Sequence, residues 1–349
     1  MSGLMFGRNK AIRVEVFGKT DLGRTRDHNE DRFLVADLTR KAASLLPDVR
    51  QHDIGPRGTL FVVADGMGGA AAGELASEMA TDTIYAHLVK TWNAEHEVTP
   101  QRFAYRLKEA VEVANASIHA HARAHPEVRG MGTTTTAAGV LHDHLYLTQV
   151  GDSRAYLIRG GEAHQITKDQ SLMQRLVEAG ELTEEEAAQS ERRNIILQAL
   201  GPDPKVKVDL THQEVRRGDV LVLCSDGLSG QVKKEEIAQV VTTTPELSAA
   251  CDKLIALANE RGGPDNITVV IARFDGDGLR SSDGGQQADV GHQVYPLIDT
   301  ETSTEPVPVY KGSRPPVPNR EKHNPGTRII VLAALAVAAA VIWYFTRNQ

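Results

Sequence analysis

Asp65 ends an apolar run, Phe61-Val62-Val63-Ala64, and is followed by Gly66-Met67-Gly68-Gly69. Asp226 closes a second run, Leu221-Val222-Leu223-Cys224-Ser225, and Asp265 stands just before a third, Ile267-Thr268-Val269-Val270. Arg26-Asp27-His28-Asn29-Glu30-Asp31 leads into Arg32-Phe33-Leu34-Val35, and Asp152 sits between Gln149-Val150-Gly151 and Ser153-Arg154. A single Asp-Gly beside a strand is ordinary turn chemistry. Acids recurring at strand ends are a different matter. If those ends converge, several carboxylates share a small volume, and like charges a few ångströms apart cannot all stay ionised unaided. A divalent cation resolves the conflict, and all-oxygen ligands favour hard Mg²⁺ or Mn²⁺ over zinc.

Other chemistries find less support. There is no His-Glu-x-x-His and no Cys/His zinc spacing. Gly151-Asp152-Ser153-Arg154-Ala155 is not a nucleophile elbow, and Gly66 to Glu74 lacks the Gly-Lys-Ser/Thr ending of a phosphate-binding loop. His119, His121 and His125 are expected after a helix facing solvent, and His142 and His144 flank Asp143 in an expected hairpin turn.

The elements that must position these acids follow from pattern. The 349 residues carry 41% hydrophobic and 24% charged side chains, enough for a sizeable core. A net charge of −7 argues against a nucleic-acid binder. Two cysteines, Cys224 and Cys251, make no disulfide framework. The amino terminus shows neither a signal peptide nor a myristoylation start. Residues rich in Val, Ile, Leu and Thr predict strands near 12–18, 32–36, 59–64, 133–140, 145–150, 154–159, 219–224 and 267–273. One helix is expected from about Gly73, with Leu75, Met79, Ile84 and Leu88 on one face. Another starts near Pro100, with Phe103, Leu107, Val111, Ala114 and Ile118 in helical register. A charged region over 169–200 predicts a third, less regular one. Many strands with few strand–helix–strand alternations predict an α+β domain over 11–275.

Residues 276–328 hold seven of the chain's 15 prolines amid Ser, Thr, Gly and Asp, the composition of a disordered linker. Residues 329–345 then run apolar without a charge and end in Trp343-Tyr344-Phe345, which predicts a transmembrane helix. Arg314, Arg320, Lys322 and Arg328 precede it and Arg347 follows. The positive-inside rule therefore predicts a single-pass inner-membrane protein with its catalytic domain in the cytoplasm.

Eight segments in order resemble the metal-dependent PP2C-type (PPM) serine/threonine phosphatases in their bacterial branch. They begin with Thr20 to Phe33, Phe61 to Ser77 and Met131 to Val140, and continue with Leu147 to Gly161 and Ile166 to Ala187. Arg192 to Gly201, Gly218 to Gly230 and Gly262 to Phe274 complete the set. The resemblance implies a four-layer α-β-β-α sandwich of two antiparallel sheets flanked by helices, with two Mn²⁺ or Mg²⁺ ions at one end. By position it implies that Asp65 bridges both ions, that the Gly66 carbonyl binds the first, and that Asp226 and Asp265 bind the second. Glu30 and Asp31 would lie in or near the same shell, and Arg26 would grip the substrate phosphate. A hydroxide bridging the ions would attack phosphorus, so no phosphoenzyme is expected. Implied partners are phosphoserine and phosphothreonine proteins and a cognate Ser/Thr kinase.

Three positions depart from the family pattern. Gly230 stands where an Asp usually helps Asp152 hold a third metal, so that metal is doubtful. Met67 replaces a histidine proposed as general acid in the eukaryotic branch. Gln170 replaces a common histidine at the flap motif. Gly230 also motivates a competing reading, a phosphatase-like module that binds phosphoproteins without turning them over.

Overall fold

The computed structural model describes residues 11–281 and 290–297. Its strands are β1 (Arg13–Asp21), β2 (Asp31–Asp37), β3 (Ala42–Ala43), β4 (Gln51–Asp53), β5 (Thr59–Met67), β6 (Gly132–Thr133) and β7 (Thr135–Leu141). They continue as β8 (His144–Val150), β9 (Arg154–Arg159), β10 (Glu162–Gln165), β11 (Asp209–Glu214), β12 (Val220–Cys224) and β13 (Ile267–Asp275). The helices are α1 (Pro47–Arg50), α2 (Ala70–Lys90), α3 (Pro100–Ala124), α4 (Leu172–Glu178), α5 (Glu184–Gln189), α6 (Asp226–Ser229), α7 (Lys234–Thr243) and α8 (Leu247–Glu260).

Two sheets form, one in the order β10-β9-β12-β13-β1-β4 and one in the order β11-β8-β7-β5-β2-β3, with β6 added on β5. Their pairings are antiparallel. Side chains alternate between the two faces of a strand, and this sorts the core into three layers. On β5, Leu60, Val62 and Ala64 pack under α2 and α3. Phe61 and Val63 face the other sheet, meeting Val14, Leu221, Leu223 and Val270. On β12 and β13, Val220, Val222, Cys224, Val269 and Ile271 back onto α7 and α8. The result is a four-layer helix–sheet–sheet–helix sandwich.

Some elements differ from expectation. Helix α2 begins at Ala70, and its buried line is Ala72, Ala76, Ala80, Ile84 and Leu88, with Leu75 and Met79 only partly covered. Alanine at three successive turns lets the helix lie close on the sheet. Helix α3 starts at its Thr99 cap, whose hydroxyl accepts from Arg102 N–H, with Pro100 in the first turn. It runs to Ala124, so His119 and His121 lie on it and not after it. The 133–140 run breaks at Thr134 into β6 and β7. Between 169 and 200 stand two short helices, α4 and α5, the latter begun by a Thr183–Glu186 capping box.

Residues 290–297 fall in the expected linker, yet they lie along β11. His212 N–H donates to Gln293 O at 2.9 Å and Tyr295 N–H to Leu210 O at 2.9 Å. The Tyr295 ring stands edge-on to Tyr146. That pairing covers a sheet edge that would otherwise be open. No helix among the described residues is long and apolar enough to cross a membrane; residues 329–345 lie outside the described set.

Candidate active site

The period of two that builds the core also aims the acids. Asp65 follows Phe61 and Val63 on the inter-sheet face of β5, and Asp31 precedes Phe33 and Val35 on the same face of β2. The two are direct cross-strand partners. Like charges placed opposite one another oppose pairing. The connections that pass between sheets meet at this end as well. The 22–30 loop from β1 to β2 brings Arg26 and Glu30. Residues 151–153, from β8 to β9, bring Asp152. Asp226 opens α6 directly after β12, and Asp265 stands just ahead of β13.

The charges interact as a group. Asp65 is held well above the ordinary carboxylate range, first by burial and then by Asp31, Asp226, Asp152 and Asp265. Burial also pushes Asp31 up to about 7, against the lowering effect of hydrogen bonds from Thr268 and Ser225. Asp152 is pushed up to about 8 by burial and by the charge of Asp226. Asp226 is raised by burial and Asp265 despite a hydrogen bond with the Asp65 carboxyl. Glu30 is raised chiefly by burial, with Arg26 opposing. Each of these shifts measures how poorly the site tolerates its own negative charge.

Arg26 is half-exposed at the rim, with Nη2 2.8 Å from Asp265 Oδ2. Gly66 N–H donates to Glu30 O at 3.2 Å. A side chain at Gly66 has no room: a Cβ would stand 2.2 Å from Gly73 O and 2.7 Å from Glu30 O. Gly230 ends α6 on the exposed side, its N–H donating to Asp226 O at 2.7 Å, and it adds no carboxylate beside Asp152.

A supporting set of buried polar residues holds the acids in place, and acid spacing alone does not reveal it. Ser225 Oγ donates to Asp31 Oδ2 at 2.7 Å while accepting from Thr268 N–H at 3.0 Å, so one hydroxyl ties the two sheets together. Asn266 Nδ2 donates to Leu22 O at 3.0 Å and His28 O at 2.9 Å, and its Oδ1 accepts from Glu30 N–H at 2.8 Å. That one side chain fixes both ends of the loop carrying Arg26. Asp65 O accepts from Thr134 N–H at 2.8 Å and from Thr133 Oγ1 at 2.9 Å. Ser153 is buried and bonded to Thr134 Oγ1 at 2.7 Å, a structural role. Gln170 pins the root of the 168–200 excursion, its Oε1 accepting from Gly151 N–H at 3.0 Å. The sequence signal for this set was the run of four threonines, Thr133 to Thr136, in a core strand.

The donor set fits hard cations. Asp31 Oδ1, Asp152 Oδ1 and Asp226 Oδ1 are buried and have no hydrogen-bond partner. Unpartnered buried carboxylate oxygens are costly, and native structures rarely keep three together without a reason. Among the described residues no three His, Cys, Asp or Glu side chains close into a preformed cage. Mg²⁺-type ions keep several waters and take only one or two protein carboxylates each, so an open cluster suits them.

Comparison with known proteins agrees with this architecture. The protein phosphatase 2C family profile matches residues 41–261. A serine/threonine phosphatase stp of Listeria monocytogenes is 36% identical over 258 residues, covering 74% of this chain and 94% of its own. The crystal structure of the Mycobacterium tuberculosis phosphatase PstP superposes with a TM-score of 0.63 at 37% identity, covering 75% of this chain and 99% of that one. A structure of the PstP catalytic domain described with two manganese ions has a TM-score of 0.60 at 36% identity, covering 76% and 99%. The chain belongs to the protein phosphatase 2C family and is a serine/threonine protein phosphatase.

Proposed function

We propose that the acid cluster is where this phosphatase hydrolyses phosphoserine and phosphothreonine in proteins, and that it does so with two divalent cations. The observation that carries the reading is the trio of unpartnered buried oxygens on Asp31, Asp152 and Asp226, gathered about Asp65, whose carboxyl is held well above the ordinary range by burial and by its acidic neighbours. Asp65, the Gly66 carbonyl, Asp226 and Asp265 would hold the pair, with Glu30 and Asp31 alongside. The two manganese ions of the PstP structure support the same choice. Bound there, the cations would supply an activated water and neutralise charge on the phosphoryl oxygens.

The chain's own residues do the rest. Arg26 would bind two phosphate oxygens through its planar fork. The hydroxyl of Ser225 keeps Asp31 turned into the inter-sheet crevice. Ser153 and both cysteines are buried, so none of these three is placed as a nucleophile. A third cation would be weakly held, because Gly230 contributes no carboxylate of its own beside Asp152. Release of phosphate from a phosphothreonine peptide should require Mn²⁺ or Mg²⁺ and should vanish in Asp65→Asn. Calorimetry should show Mn²⁺ binding to the wild type and its loss in Asp226→Asn. Full turnover in excess chelator would overturn the proposal, and tight phosphopeptide binding without turnover would favour a binding module.

We further infer that residues 329–345 anchor the enzyme in the inner membrane, single-pass, with the 11–275 domain in the cytoplasm and 276–328 as linker. The apolar run and the basic residues before it support this. A cognate Ser/Thr kinase on the same membrane face is the natural source of substrate.

A further inference from the structure

A groove of about 520 Å³ opens between the end of α3 and the segment on which the 168–200 excursion returns to the core. His119, Arg123 and Arg129 line it, with Gly130, Gly201 and Pro202 between them. In a chain of net charge −7 a basic groove stands out. His119 Nδ1 donates to Gly201 O at 2.8 Å, which leaves its Nε2 available. Arg123 and Arg129 are exposed, and among the described residues neither side chain has an ion pair or hydrogen bond. The nearest acid in sequence, Glu127, is 3.2 Å from His125.

The groove is close to the acid cluster. Gly132 and Thr133 pair with Met67 and Gly66, and Thr133 Oγ1 donates to Asp65 O. Gly130 is three residues from Thr133, a reach of at most about 10 Å. An extended peptide covers that length in about three residues. Beside five clustered aspartates, an acidic substrate segment would be repelled unless basic groups met it.

We propose that this groove receives an anionic side chain of the substrate, a carboxylate or a second phosphate, about three to five residues from the phosphoresidue being hydrolysed. The proposal rests on the acid cluster being the reaction site. Unpaired Arg123 and Arg129 supply the charge, and the groove volume falls in the range of ligand sites.

The test uses the full-length protein with Mn²⁺ and phosphothreonine peptides of three kinds: neutral flanks, Asp three to five residues away, and a second phosphothreonine there. The wild type should prefer one or both anionic kinds by about five- to tenfold in kcat/KM, expressed in KM, as expected for two exposed charge pairs. A preference for Asp, for phosphate or for both names the source, and each supports the proposal. Raised salt should erode the preference. In Arg123→Glu/Arg129→Glu the preference should vanish or invert, while the neutral peptide and p-nitrophenyl phosphate turn over as before. Absence of preference in the wild type, its survival in the variant, or an equal fall on all substrates would overturn it. A wild type inactive on every substrate would instead overturn the assignment of the reaction site, and this proposal with it.

Discussion

Asn266 is the residue whose loss should say most about how the site is assembled. Its side chain is buried and makes three hydrogen bonds, to Leu22 O, His28 O and Glu30 N–H, at 2.8–3.0 Å. Asn266→Ala removes about 1 kcal/mol for each, and any of the three backbone groups that water cannot reach adds its own desolvation penalty. The expected destabilisation is about 2–4 kcal/mol, read as a lower denaturant midpoint at unchanged slope. Because the freed loop carries Arg26 and Glu30, activity should fall beyond what instability explains. Misplacement by about 1 Å can cost about a hundredfold. The phosphothreonine peptide should show a raised KM, since Arg26 would meet the phosphate, while the Mn²⁺ midpoint moves less. Asn266→Asp keeps the shape but puts an oxygen against Leu22 O and His28 O and adds a charge to an acid cluster, so it should be no better than Ala. A variant that unfolds at the wild-type midpoint and keeps its KM would refute the reasoning.

Further outcomes follow from the same geometry. Asp31 is raised to about 7 when folded, above its unfolded value near 4, so the folded metal-free protein binds the extra proton. Its stabilising effect is complete below pH ~4 and is lost as pH rises through about 7. In chelator, Asp31→Asn should therefore gain on the wild type between pH 4 and 8, by on the order of 4 kcal/mol over the window; a constant difference would contradict this. Gly66→Ala must move Gly73 O or Glu30 O, costing about 1–3 kcal/mol of stability and most of the activity. Wild-type turnover in that variant would show that the close approach is unnecessary. Deleting residues 329–349 should shift the protein from the membrane to the soluble fraction with peptide turnover intact, and full-length protein already in the soluble fraction would remove the anchor.

Much of the site was legible because strand ends are punctuated by chemistry. Asp65 and Asp226 each close an apolar run and Asp265 stands just before one, and all three lie at one end of the two sheets. The sandwich itself came from resemblance more than from pattern. Helix α8 has a clear stripe, Leu247, Ala250, Cys251, Leu254, Ile255 and Ala258, but half of it is small residues, which makes a weak hydrophobic signal. Strands β10 and β11 carry polar residues on a sheet edge, so their alternation is diluted. Ser225 and Asn266 could not be read at all. Their importance depends on partners far away in sequence, such as Asp31 for Ser225. The docking of 290–297 was hidden by composition, because its few apolar residues, Val290, Tyr295 and Leu297, are scattered among polar ones and act together with the unpaired edge of β11.

Why the acids should occupy these particular positions follows from the strands. A residue two places beyond Val63, or two before Phe33, has to project between the sheets. In the middle of a strand that direction is filled by Val, Leu and Phe from both sides. At the end of the strands the same direction meets the connections that carry Asp152, Asp226 and Asp265. Asp31 and Asp65 are therefore aimed by strands whose neighbouring residues are packed in the inter-sheet core, and an apolar pair there would suit the fold better than opposed carboxylates. A sequence that breaks its own core pattern at both members of one cross-strand pair, and then supplies Ser225 and Thr134 to hold them, has its local rule overridden by function. The electrostatic strain among those acids is what a pair of divalent cations would relieve.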